Sequence, residues 1–301
     1  MNKIHPVVFF VFKRPDRIVQ FLDSIVSAGT KRIHIFADGP RHKQDKELTD
    51  LVKKKIKSFI QTHPKLTIYP AFSSTNKGLK RSIIDGLHLV FSLEEAAIIL
   101  EDDCLPHPDF FTFCNKLLTK YLHNPAVFSI SGFSHEFLSQ YSYDFSKYPQ
   151  CWGWATWARA WKKYDEGIVS WDDSTKRKSI LYDLNNIFNQ WFWKKIFEMI
   201  FAKRLETWDY QLTYSHLAHK ALSIIPKVNL ISNIGFDSSA SNTKWKANYA
   251  NKETKPIDWP LVHPKQIVAN KQLDDLIISK HYISTVPLFG LFQTILKGIL
   301  R

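Results

Sequence analysis

The segment AIILEDDCLPHPDFFTF, residues 97–113, decides how this chain is read. A run of strand length, Ala97 to Leu100, ends in three consecutive carboxylates, Glu101, Asp102 and Asp103. A turn with two prolines, Pro106 and Pro108, then leads into an aromatic helix start. In an open α/β sheet, ligands bind outside the C-terminal ends of the strands. Clustered hard oxygens at such an end are what Mg²⁺ or Mn²⁺ bridging a phosphate selects. A solvated turn that happens to be acidic has the same letters, so the flanking sequence must separate the two readings.

Upstream, residues 6–12 form a continuous apolar, β-branched and aromatic run, the pattern of a strand buried on both faces. Lys13-Arg14-Pro15-Asp16 breaks it. Proline suits the first turn of a helix, and Ile18, Phe21, Leu22 and Ile25 follow at helical spacing until Gly29. Residues 32–37 (RIHIFA) predict a second strand ending at Asp38-Gly39-Pro40, followed by a helix striped with Leu48, Leu51, Val52, Ile56, Phe59 and Ile60. Residues 66–72 read as a third strand, 82–91 as a helix and 97–100 as the fourth strand. This alternation predicts an α/β protein with a mostly parallel sheet, right-handed crossovers and flanking helices.

Downstream, residues 108–122 predict a helix and 126–131 a strand; the texture then changes. Residues 141–208 are dense in aromatics and poor in β-α regularity, with Trp152, Trp154, Trp157, Trp161, Trp171, Trp191 and Trp193. Aromatic walls with polar tips line carbohydrate and nucleoside sites, and tryptophans are equally ordinary core. Helices over 184–202 and 208–220 and short strands over 223–226 and 229–231 follow.

At 301 residues and 45% hydrophobic, the chain can bury one large α/β domain or two closely packed halves. Lys and Arg outnumber Asp and Glu by 41 to 28, a formal charge of +13 that suits a nucleotide, a nucleic acid or an anionic membrane surface. Cys104, Cys114 and Cys151 show no paired or zinc-like spacing, which favours reduced structural thiols in a cytosolic setting. The apolar residues 7–12 are too short for a signal-peptide core, and no run reaches the roughly 18 residues of a spanning helix. Residues 283–300 (ISTVPLFGLFQTILKGIL), with Lys280 and His281 before them and Arg301 after, suit either a membrane interface or a terminal helix packed on the domain.

The strand ends carry candidate ligands. Lys13 and Arg14 follow the first strand, where charge meets phosphate or a base carbonyl. Asp38 follows the second, where a carboxylate accepts from ribose hydroxyls or a base N–H. Asn76-Lys77-Gly78, Lys80 and Arg81 precede a helix whose N-terminus favours anions. Each alone is more simply a solvated loop residue, and the signal is their shared placement at the C-terminal strand ends of one sheet. Transfer from a nucleotide sugar requires a Lewis acid for the diphosphate and a base for the acceptor hydroxyl, hence two separated acidic sites. Glu101-Asp102-Asp103 fits the first. Asp209, in Glu206-Thr-Trp-Asp-Tyr-Gln211 at a predicted helix start, fits the second, though stabilisation by the helix dipole alone also accounts for it.

The series FFVFKRPDRIVQFLDSI, IFADGPR, NKGLKRSIIDGL, IILEDDCLPHPDFF, CWGWATWARAW, TWDYQL and PKVNLISNIGF, in this order over about residues 4–245, resembles the bacterial sugar transferases of the GT-A fold and the N-acetylglucosaminyltransferase I type. The resemblance implies a UDP-sugar-type donor, a divalent metal, Mn²⁺ or Mg²⁺, and an inverting single displacement. It implies Asp103 as metal ligand, Asp102 against donor sugar or ribose, Glu101 against donor sugar, Asp38 against the nucleoside and Asp209 as base. Arg14, Asn76, Lys80 and Arg81 would line the nucleotide site, and Trp152, Gly153, Trp154 and Trp208 the acceptor or sugar site. It further implies a GT-A-like catalytic domain over 1–278, with a nucleotide-sugar half (1–135) and an aromatic-rich acceptor half (136–278), and an amphipathic tail over 279–301. One departure concerns the metal. Relatives often continue the NIGF segment into a Thr-His pair, whereas this chain reads Asp237-Ser-Ser-Ala-Ser-Asn242-Thr243, and Asn is a poorer transition-metal ligand than His. Either Asp103, diphosphate and water hold the ion, or another group such as Asp237 substitutes; His263 is the remaining candidate, with a surface position as its simpler reading.

The expectation is therefore an inverting, metal-dependent glycosyltransferase acting on a glycan or lipid-linked acceptor in bacterial surface polysaccharide or lipopolysaccharide synthesis. It would be cytoplasmic, with the tail a candidate for peripheral attachment to the cytoplasmic face of the inner membrane. A sugar nucleotidyltransferase would use the same carboxylates but needs a glycine-rich phosphate loop near the first strand, which Lys13-Arg14-Pro15 is not. A nucleic-acid partner is not expected, since the basic residues are dispersed and the acidic triplet opposes phosphate unless metal is bound.

Overall fold

In the computed structural model, which describes residues 4–184, 186–235 and 251–283, the first apolar run forms β1 (Val7–Val11), buried at every position. Pro15 opens α1 (Pro15–Ser27), and β2 (Arg32–Ala37), α2 (Lys43–Thr62), β3 (Thr67–Phe72), α3 (Leu79–Leu93) and β4 (Ala96–Glu101) follow in the expected alternation. Next come β5 (Cys104–Pro106), α4 (Pro108–Lys120), β6 (Val127–Ser131), β7 (Tyr143–Ser146), β8 (Trp154–Trp157) and α5 (Ala158–Trp161). The C-terminal part adds α6 (Ser174–Tyr182), α7 (Ile187–Phe201), α8 (Asp209–Ala218), β9 (Leu222–Pro226), β10 (Ile231–Asn233) and α9 (Lys271–Ile277).

Among the described residues, eight strands form one sheet in the order β3-β2-β1-β4-β8-β6-β9-β7. β3, β2, β1 and β4 are parallel neighbours, and β6 pairs parallel with β9. β8 runs antiparallel between β4 and β6, with Ala155 opposite both Ile98 and Ile130. The protein is thus α/β with a large, mostly parallel sheet flanked by helices, as the alternation implied. β7 and β8 arise within residues 141–208, where the sequence showed little regularity, and β8 escapes a period-2 reading because all four of its residues are buried.

Alternation along the strands divides the core. Val7, Phe9 and Val11 of β1 and Ile98 and Leu100 of β4 pack with residues of α1, α2 and α4 on one face of the sheet. Val8, Phe10, Ala97 and Ile99 point the other way, against Ile83, Leu87 and Val90 of α3 and against Trp154, Trp161 and Trp208. Each fully buried side chain of this kind contributes about 1.5–3 kcal/mol. A separate apolar cluster holds the C-terminal helices together, with Trp171, Trp193, Phe197 and Tyr214 at its centre. Residues 278–283 continue helically from α9, and Tyr282 enters that cluster, its hydroxyl 3.2 Å from both Thr213 Oγ1 and the Pro149 carbonyl. The apolar segment beyond, residues 284–301, lies outside the described residues. No described helix is long and apolar enough to cross a membrane.

The chain passes from β1 to β2 and β3 on one side, then returns to place β4 on the other side of β1. The order reverses at β1, and a crevice opens beyond the C-terminal ends of β1 and β4.

Candidate active site

The acidic triplet stands at that crevice. The Phe12 N–H, just past β1, donates to Asp102 Oδ2 at 2.8 Å, and Arg14 Nη1 donates to Asp102 Oδ1 at 2.7 Å and to Asp103 Oδ2 at 3.2 Å. Asp102 is only 7% exposed. Burial, with Asp103 beside it, raises its pKa above the ordinary carboxylate value, while Arg14 and the Phe12 N–H oppose the rise. Glu101 is pushed up further, by burial first and then by Asp103, Asp102 and Asp209, with Arg14 opposing. Arg14 is itself desolvated, yet the two aspartates hold its proton more firmly than in water.

The C-terminal part of the chain closes over Asp103. β10 pairs antiparallel with β5, and the Ile234 N–H donates to the Asp103 carbonyl at 2.8 Å. A Cβ at Gly235 would collide with the Asp103 carboxylate, so the close approach requires glycine there.

Asp38, at the end of β2, is 8% exposed and saturated by its own chain. Oδ1 accepts from the Gly39 and Lys77 N–H groups at 2.8 Å each, and Oδ2 from Asn76 Nδ2 at 2.8 Å and the Gly78 N–H at 3.0 Å. Gly78 caps α3 with φ +79°, a conformation that favours glycine. The carboxylate therefore fixes the loop that starts α3, and Lys80 and Arg81 follow in its first turn. Arg81 Nη1 lies 3.0 Å from Glu166 and Nη2 2.6 Å from Asp85; Lys80 Nζ lies 3.8 Å from Glu166.

These strand ends line one cleft of about 800 Å³, within the range of small-molecule sites. Arg14, Asp38, Asn76, Lys80, Arg81, Glu101, Asp102, Asp103, Trp152, Trp208 and Asp209 all border it. Asp209 begins α8, and its carboxyl pKa is raised by burial against the opposing pull of N–H groups from Asp209, Tyr210 and Trp208. Trp208 stacks on Trp154 with ring centroids 5.9 Å apart, and its carbonyl accepts from the Tyr164 hydroxyl at 3.0 Å.

Gly153 and Trp154 are not among the residues lining the cleft. Gly153, with φ +55°, packs where a Cβ would meet Ile231, and its carbonyl accepts from the Gly132 N–H at 2.7 Å. Trp154 is 1% exposed and forms core beneath Trp208. His263 is not a lining residue either; its Nδ1 sits 3.0 Å from the Tyr143 hydroxyl. Asp237 and Asn242 lie outside the described residues. Sequence reasoning assigned no site role to Arg41, Cys151, Asn233 or Gly235, which also line the cleft. All four stand inside the quoted motif segments, the one signal that marked them. The Cys151 thiol is held in its protonated form by burial and by Asp209 and Glu101.

Among the described residues no group of three or more His, Cys, Asp or Glu is arranged to hold a metal by itself. The donor chemistry nevertheless fits a hard divalent ion completed by ligand oxygens. Asp103, Asp102 and Asp209 all act on Glu101 with Arg14 as the opposing cation, and the Asp103 side chain keeps 23% of its surface open.

No protein-family model and no curated protein matches the chain. Solved structures with some likeness include a UDP-glucose pyrophosphorylase complexed with UDP-glucose, at 18% identity over 49% of this chain and 64% of that one, with a TM-score of 0.31. Residues 1–349 of S. aureus TarS match at 9% identity over 75% of this chain and 59% of that one, TM-score 0.42. The 4-diphosphocytidyl-2C-methyl-D-erythritol synthase of Anaerococcus prevotii matches at 11% identity over 53% and 75%, TM-score 0.33. The chain spans less than two thirds of the length of the first two.

Proposed function

We propose that the chain is an inverting glycosyltransferase of GT-A type, moving a sugar from a nucleotide sugar, UDP-linked in the first instance, to a hydroxyl of a glycan or lipid-linked acceptor at the cytoplasmic face of a bacterial membrane. The observation that carries this reading is the pair of acidic stations on one cleft: Asp102 and Asp103 at the β1–β4 crevice, and Asp209 at the head of α8. A nucleotide diphosphate needs the first, and a hydroxyl nucleophile needs the second.

In this scheme Arg14, Lys80 and Arg81 attract the diphosphate, assisted by the α3 N-terminus. Asp38 keeps the loop of Asn76 and Gly78 in place for the nucleoside, and Glu101 faces the donor sugar. Trp152 and Trp208 present apolar surface to the sugar rings. When bound, Mn²⁺ or Mg²⁺ on Asp103 supplies Lewis-acid neutralisation of the leaving group. The acceptor oxygen attacks the anomeric carbon from the face opposite the diphosphate and inverts it. Asp209 takes the hydroxyl proton, and the electron pair of the broken C–O bond leaves on the diphosphate.

The deciding experiment incubates the protein and Mn²⁺ with a panel of nucleotide sugars, and in parallel with nucleoside triphosphates plus sugar 1-phosphates. Metal-dependent release of nucleoside diphosphate, lost in Asp103→Ala, is the expected result. Pyrophosphate release in the second arm would mean a sugar nucleotidyltransferase, and full activity in Asp103→Ala would remove the metal assignment.

A further inference from the structure

Helix α7 (IFNQWFWKKIFEMIF) is apolar on both sides. Phe192, Trp193, Phe197 and Ile200 fill the core of the C-terminal helices. On the outward arc, Ile187 is 83% exposed, Phe188 37%, Met199 39% and Phe201 42%. At 100° per residue these four and the half-buried Trp191 share an arc of about 160° with Lys194, Lys195 and Glu198. A solvated helix face ordinarily carries few large apolar side chains, and this one carries four beside its charged residues.

The charge around this face has one dominant sign. Along α7 and the residues that continue it, Lys194, Lys195, Lys203 and Arg204 stand against Glu198, which lies 3.8 Å from Lys194 Nζ and 3.1 Å from Lys195 Nζ. Lys203 and Arg204 continue directly from Phe201 and are exposed. Large apolar side chains interleaved with lysine and followed by Lys203 and Arg204 suit a helix lying in a membrane interface, and each basic residue near an anionic surface adds attraction. A protein partner would have to bring a matching acidic rim; an anionic bilayer offers that charge everywhere.

We propose that the outward face of α7 docks on an anionic lipid bilayer, with Ile187, Phe188, Met199 and Phe201 at the acyl boundary and Lys194, Lys195, Lys203 and Arg204 against headgroups. The inference stands on this face alone and does not depend on the transferase reading.

The test is co-sedimentation of the full chain with phosphatidylcholine vesicles, with and without phosphatidylglycerol. Binding should be at least about tenfold tighter with phosphatidylglycerol and should weaken at high salt. Ile187→Ser with Phe201→Ser, and separately Lys194→Ala with Lys195→Ala, should each lower the partition about tenfold while the thermal midpoint stays. Two pairs of different chemistry keep the test decisive if one misfolds. Unchanged binding in both pairs would assign lipid contact elsewhere, for instance to the apolar residues 284–300, and overturn the proposal. So would absent binding, or a concentration-dependent dimer that the same substitutions dissociate.

Discussion

Arg14 Nη1 bridges two acids of one triplet, 2.7 Å from Asp102 Oδ1 and 3.2 Å from Asp103 Oδ2, across the seam where β1 and β4 meet. A divalent ion held by Asp103 would therefore share that carboxylate with the guanidinium. Arg14→Ala leaves the buried Asp102 charge short of a partner and should lower stability by about 3 kcal/mol. Because the competing cation is gone, Mn²⁺ should raise the melting temperature of this variant more than that of the parent chain. Equal shifts in the two proteins would show that Arg14 does not contend for the ion.

Asp209 should separate chemistry from binding. Asp209→Asn keeps the side-chain shape and removes the base, so kcat should fall about 10²–10⁴-fold while nucleotide-sugar affinity stays within about twofold. Since burial already disfavours the charge, the variant should be at least as stable as the parent. Loss of donor affinity in parallel with kcat would place Asp209 in donor binding instead.

Asp38 accepts four hydrogen bonds from its own chain, so its variant should act through the loop. Asp38→Ala should speed amide hydrogen exchange at Lys77 and Gly78 and cost roughly 2–4 kcal/mol. Nucleotide affinity should fall about tenfold, together with the exchange change. Weakened affinity with unchanged exchange would mean direct contact with the nucleoside, the role that family resemblance implies.

The buried histidines should cost stability on the acid side. His216 is buried, its Nδ1 donating to the Leu212 carbonyl at 2.9 Å and its Nε2 2.8 Å from Ser129 Oγ, and burial lowers its pKa to about 4. The unfolded chain, titrating near the ordinary 6.5, then binds more protons between those values, so stability decreases as pH falls from about 6.5 to about 4, by up to roughly 3 kcal/mol. His135 at about 4 and His281 at about 3 add in the same sense, whereas Asp274 at about 6 and the raised carboxyls of Glu101, Asp102 and Asp209 act against them. Urea titrations across this range should show a shallower slope for His216→Gln; an identical slope would place the acid sensitivity in other groups.

The sequence showed most clearly those features whose cause is local. The ends of β1, β2 and β4 were readable because apolar runs stop abruptly at Lys13, Asp38 and Glu101. β8 was not, since four buried residues in an aromatic stretch carry no period that marks a strand. The three-residue strands β5 and β10 exist by mutual pairing, and neither has an identity of its own in sequence. The saturation of Asp38 was also hidden, because three of its donors stand 38–40 positions away. A carboxylate after a strand says that donors are wanted there, without saying whose.

The stacked pair Trp154 and Trp208 has a consequence for fidelity. Trp154 belongs to β8, the direct neighbour of β4, so Asp209 at the head of α8 and the acids at the end of β4 are referenced to adjacent strands of one stiff sheet. In the proposed reaction, the separation between nucleophile and leaving group is then a property of the scaffold. A smaller residue at Trp154 would let the two stations drift, and activated donor would be spent on water before an acceptor arrives. The tryptophan stack would in that case govern the yield of sugar delivered per donor consumed.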